Sequence, residues 1–182
     1  LVMPLLSKKG INLPTSPIRK LVIFSDQAKA KGIDVLHLNI GQPDIEAPKE
    51  AINAVKNSSH KLLPYGSSQG DLTYRQKLSK YYRKHKINVA PDDILVTTGA
   101  SEALTFVLNS ICDSGDEIII PEPFYANYNG FASAASVKVI PVISEFNNQF
   151  QLPSLENIND KITSKTKAIL LVHVLGNSCD MK

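Results

Sequence analysis

The 182-residue chain has no tryptophan, two cysteines and two methionines. Cys112 and Cys179 lie far apart and match no metal or redox spacing, so nothing suggests a disulfide scaffold or a zinc module. The four histidines, His37, His60, His85 and His173, form no ligand pair either, and no metal is expected. No apolar run reaches the length of a membrane span; the longest, AILLVHVL (168–175), is strand-sized. LVMPLL at the start is too short for the apolar part of a signal peptide, and charge arrives at Lys8. Neither sign of charge dominates: 20 basic against 17 acidic residues leave +3, too little to indicate nucleic acid. The densest basic run, RQKLSKYYRKHK (75–86), reads as a solvated helix with Leu78, Tyr81 and Tyr82 on its packed side. These absences point to a cytoplasmic protein.

What is present has the composition of a packed domain, 43% hydrophobic and 20% charged. Helices are expected at 16–32, opened by Ser16 and Pro17 and stopped by Gly32, at 48–57, and from Asp71 to about Lys86. VLHLNIG alternates as a short strand or extended segment. From residue 93 the pattern becomes β-α-β-α-β-α-β, with strands at 94–98, in IIIPEP, at 137–143 and at 167–174. Leu104, Val107, Leu108 and Ile111 stripe the first helix of this series. Such alternation demands an α/β architecture, a mostly parallel sheet with helices packed on it. The first ninety residues lack it and read as an arm and subsidiary helices.

The stretch VTTGASEAL (96–104) turns from strand to helix at Gly99. In open α/β sheets ligands settle beyond the carboxyl ends of the strands. A helix start there adds unpaired N–H groups and the positive end of the helix dipole, which together attract an anion. Ala100 keeps the approach open and Ser101 can add a hydroxyl, so a phosphate fits; a plain structural cap also fits. GASEA also approaches a nucleophile elbow, with Asp160 and His173 in triad order. Against a hydrolase, no His-Gly oxyanion loop precedes the turn, and His173 sits in an apolar strand as a core residue would. Phe124 and Tyr125 follow the second strand, where an aromatic can lie flat on a planar heterocycle. Gly41 in NIGQPD leaves a backbone N–H accessible to a carboxylate, or serves as a turn glycine.

Taken together, SPIRKL, HLNIGQPD, PYGSSQGDLTYRQKLSKYY, ILVTTGASEAL, GDEIIIPEPFYANY and TKAILL resemble, in order and spacing, the N-terminal part of a class I/II aminotransferase. These are the fold-type-I enzymes dependent on pyridoxal 5'-phosphate, and the pattern is closest to the aspartate and aromatic types. The resemblance runs from Ser16 to about Val172. It implies a three-layer α/β sandwich, with 1–45 as N-terminal arm and small-domain segment and 46–182 as an incomplete pyridoxal-phosphate-binding large domain. Gly99, Ala100 and Ser101 match the turn that holds the cofactor phosphate, and Tyr125 matches the aromatic stacked on the pyridine ring. Tyr65 matches a tyrosine reaching the neighbouring subunit's phosphate in a homodimer, and Gly41 the glycine near the substrate α-carboxylate.

The implied activity is amino-group transfer between an amino acid and a 2-oxo acid. In the family the Schiff-base lysine, the carboxylate on the pyridine nitrogen and the substrate-binding arginine all lie downstream of the residues matched here. The chain is therefore expected to act as a truncated N-terminal half, inactive alone, with no catalytic residue of its own. Where the family runs Asn-Pro-x-Asn-Pro-Thr-Gly, this sequence has VHVLGNSCDMK, and Asn177 aligns with the cofactor-binding asparagine after a one-residue slip. Residues 173–182 thus read as a scrambled or truncated tail. A fold-type-I lyase or synthase would share these motifs. A non-catalytic phosphate-binding or interaction module is the alternative of a different class.

Overall fold

A computed structural model describes residues 5–181. The chain divides into two compact units. One takes in the chain up to Leu36 together with everything from Ser101 onward, and the other is His37–Ala100.

The first unit opens with three short helices, α1 (Lys8–Asn12), α2 (Pro17–Lys20) and α3 (Val22–Ala30). Ser7 Oγ caps α1 by accepting from Gly10 N–H at 3.0 Å. The single helix expected at 16–32 is interrupted at Leu21 and closes at Gly32, whose φ of +77° suits a residue without Cβ.

In the second unit, α4 (Lys49–Lys56) and α5 (Leu72–Lys84) match expectation. Asp71 Oδ1 accepts from Tyr74 N–H at 2.8 Å and fixes where α5 begins. The helix faces differ from the sequence reading. Tyr81 and Tyr82 are exposed, whereas Arg75 and Ser79 are buried at 5% and 3% exposure, because both have backbone acceptors on the inner side. No strand forms within 33–40 or 94–98. A strand needs a partner for its hydrogen bonds, and Val96 N–H goes instead to Gln69 O in the loop before α5.

The sheet belongs to the first unit. After α6 (Ala100–Ile111) come β1 (Glu117–Glu122), α7 (Asn127–Ala134), β2 (Lys138–Ile143), α8 (Leu155–Asn159) and β3 (Thr166–Ile169). All pairings are parallel, in the order β2-β1-β3. Ile118, Ile119 and Ile120 are at most 1% exposed, as a central strand covered on both faces requires. Ile118 and Ile120 pack with Leu108 of α6, Ala132 of α7 and Val137. Of the expected α6 stripe, Leu108 alone is buried, while Val107 and Ile111 stay about half exposed.

β3 is shorter than expected, and the reason lies in its neighbour β1. Glu117 N–H bonds Lys165 O, and Ile119 O accepts from Leu170 N–H, so alternate β1 residues serve β3. The next in that line is Pro121, which has no N–H. The ladder stops there, and His173 is exposed rather than part of a core strand. Replacing Ile120 by alanine should cost about 2–5 kcal/mol of stability in urea denaturation. A loss below about 1 kcal/mol would show that β1 is not the centre of the core.

Candidate functional site

Because the strands are parallel, their carboxyl ends open on the same side. Ser144 N–H bonds Glu122 O at 2.7 Å and holds the exits of β1 and β2 together. Beyond them lies a cavity of about 1060 Å³, bordered by Phe124, Tyr125, Ser144, Leu152, Asn177 and Asp180 among others. That is slightly above the usual range for small-molecule sites.

Tyr125 is half exposed at this cavity, and two neighbours fix its ring. Asn127 Nδ2 donates to its hydroxyl at 2.6 Å. Tyr128 meets it edge-on, with centroids 5.5 Å apart and planes at 87°. Tyr128 is itself stacked on Phe124, 6.2 Å away, which packs against the core. The sequence reading missed Asn127 and Tyr128 as orienting residues. The signal was the spacing in PEPFYANY, which puts residues 125 and 128 one helical turn apart.

Asn177 borders the same cavity as Tyr125, so the structure brings these two candidates together. Leu175 and Gly176 just before it both have positive φ, +55° and +81°, and turn the chain back after β3.

The other candidates lie elsewhere. Gly41 and Tyr65 belong to the second unit, and Tyr65 is fully exposed, at 106% relative exposure. Gly99 and Ala100 end that unit, and Ser101 begins the sheet-bearing stretch. Gly99 has φ +79°, and a Cβ there would meet no atom within 4 Å, so its backbone is open to a ligand. Its own N–H is used by Thr97 O at 2.8 Å, and its carbonyl accepts from Thr97 Oγ1 at 3.0 Å. The amides of Ala100 and Ser101 occupy the first two positions of the twelve-residue α6, where the helix supplies no acceptor, and are candidate donors to an anion. Glu102 in that turn places a negative charge close by.

The triad order yields no triad. His173 Nδ1 accepts from Cys179 N–H at 3.0 Å, so the nitrogen that a triad would turn to a carboxylate such as Asp160 is engaged by the backbone. Both cysteines are free. Burial pushes the Cys112 thiol above its ordinary value; Asp116 adds to the shift and Lys167 opposes it. No group of three or more His, Cys, Asp or Glu able to hold a metal occurs among the described residues. No helix among them is long and apolar enough to cross a membrane.

A family model described as aminotransferase class I and II matches residues 33–178. The (5-formylfuran-3-yl)methyl phosphate transaminase of Methanocaldococcus jannaschii is 32% identical over 169 residues, covering 92% of this chain and 43% of that protein. The aspartate aminotransferase of Bacillus subtilis is also 32% identical, covering 91% and 42% respectively. Among solved structures, the aspartate aminotransferase of Thermotoga maritima superposes with TM-score 0.82 at 29% identity, over 90% of this chain and 44% of that one. The alanine aminotransferase of Pyrococcus furiosus gives 0.79 at 33% identity, over 90% and 42%. The chain thus spans about two fifths of the length of the curated relatives it matches.

Alanine at position 99 should lower stability by about 1–2 kcal/mol through the positive φ alone, since the space is open. Thermal unfolding checks this; an unchanged Tm would mean that the turn is not held left-handed in solution.

Proposed function

The chain belongs to the aminotransferase class I and II family, and on that premise we propose that it forms the cofactor-holding part of a pyridoxal-5'-phosphate-dependent aminotransferase. The observation that carries this reading is the opening of α6, where Gly99 turns the chain and leaves the Ala100 and Ser101 amides to an anion. Those amides and the Ser101 hydroxyl would hold the phosphate, and Tyr125, its ring held by Tyr128 and Asn127, would lie against the pyridine ring. The half-exposed Tyr125 ring at the border of the cavity offers a face to a planar aromatic group. Asn177 is the candidate polar contact to the ring, and Gly41 the candidate contact to the substrate carboxylate. When bound, the cofactor supplies an electron sink for bond breaking at the substrate Cα. The residues of this chain contribute binding and orientation.

The same reading takes 1–45 as arm and small-domain segment and 46–182 as an incomplete cofactor-binding large domain. It gives the protein amino acid and 2-oxo acid substrates and a cytoplasmic location. It also makes the protein a homodimer, in which the exposed Tyr65 of each copy reaches the other's phosphate. No lysine or arginine lines the cavity among the described residues. Because the family's Schiff-base lysine lies downstream of the matched residues, this reading has the 182-residue polypeptide alone bind the cofactor without turning over.

Titration with pyridoxine 5'-phosphate, which has no aldehyde to modify surface lysines, tests the holding role. Saturable shifts of the Ala100 and Ser101 amides are expected, and Ser101→Ala should weaken binding about tenfold. Amides that do not respond would overturn the assignment. Incubation with pyridoxal phosphate and an amino acid/2-oxo acid pair should give no product. Turnover, or a single lysine trapped by borohydride, would defeat the claim of inactivity.

A further inference from the structure

One arginine of the basic run faces inward. Lys77, Lys80, Arg83, Lys84 and Lys86 are exposed, whereas Arg75 is 5% exposed. Burying a guanidinium is costly unless its donors are used. Here they go mainly to backbone carbonyls. Nη1 donates to Pro91 O at 2.6 Å and Nε to Gly70 O at 3.3 Å. The carboxylate of Asp92, 3.3 Å from Nη1, is 88% exposed and contributes little.

The two carbonyls belong to segments that are also joined directly. Val96 N–H bonds Gln69 O at 3.0 Å. Gly70 has φ +94°, and a Cβ there would lie 2.6 Å from Val96 Cβ. Residues 69–70 and 91–96 are thus fixed side by side, and Gly99 follows three residues later. Ser79 Oγ, from the same buried face of α5, ties only Val89 O, at 2.7 Å.

We propose that Arg75 is a positioning residue for the Gly99–Ala100 turn. This rests on the reading that the turn takes a phosphate ester. Arg75 touches no ligand; it bridges Gly70 and Pro91, and so sets where segment 91–96 ends and how the Ala100 amide is aimed. A fork of donors can hold two diverging carbonyls at once, which a single ammonium cannot match in geometry.

The test uses the whole chain and two readouts: backbone amide exchange, and affinity for pyridoxine 5'-phosphate. Arg75→Met should speed exchange at Val96 about tenfold relative to Leu78 in α5, and weaken the phosphate ester about tenfold. Arg75→Lys should fall between it and the parent. Gly70→Ala keeps the guanidinium but displaces Val96, and should weaken binding similarly. Ser79→Ala, which loses one buried bond outside the bridge, should leave affinity within about twofold even as Tm falls. Parallel losses in Arg75→Met and Ser79→Ala, tracking Tm, would reduce Arg75 to a stabilising role and overturn the proposal. So would an unchanged affinity in Gly70→Ala. If Arg75→Met does not fold, Arg75→Lys and Gly70→Ala decide. If the parent chain fails to bind the ester, the phosphate reading falls, and exchange at Val96 in the free variants still judges the positioning role: unchanged exchange refutes it.

Discussion

The sheet-bearing unit depends on one strand being covered from both sides. Three consecutive isoleucines can disappear from solvent only if a strand has neighbours on each edge and cover on each face. That requirement places β1 between β2 and β3. Parallel neighbours need crossover connections, and α7 and α8 supply them. The three strands then finish at the same end, which is why Tyr125, soon after β1, and Asn177, eight residues after β3, border one cavity.

The buried polar groups follow a second rule, that each must be satisfied where it lies. Glu117, 8% exposed at the start of β1, accepts from Thr163 Oγ1 at 2.7 Å and lies 3.7 Å from Lys138 Nζ. It links the beginnings of all three strands, as Arg75 links the segments around α5 in the other unit. No buried side-chain nitrogen or oxygen is without a partner among the described residues.

What could be foreseen from the sequence was what depends on neighbours in the chain. The apolar run in IIIPEP announced β1, and Asp71 announced the start of α5. What escaped depends on residues far away. The extended segment 94–98 looks like a strand until its partner is sought, and the length of β3 is set by Pro121 in another strand. In a run of six cations nothing distinguishes Arg75 until carbonyls at 70 and 91 are brought to it. At the candidate site, family order pointed to Tyr125 and the Gly99 turn. It did not reveal that Thr97 already uses the Gly99 N–H, or that Tyr128 holds the Tyr125 ring edge-on.

β2 lies at an outer edge of the sheet and pairs through Pro141, opposite Ile120. Proline offers no N–H in either direction, so this margin cannot present an unbroken row of donors to a passing strand. Lys138 adds a charge at its beginning. A margin interrupted in this way disfavours sheet-to-sheet polymerisation when the polypeptide is concentrated, independently of whatever ligand it holds.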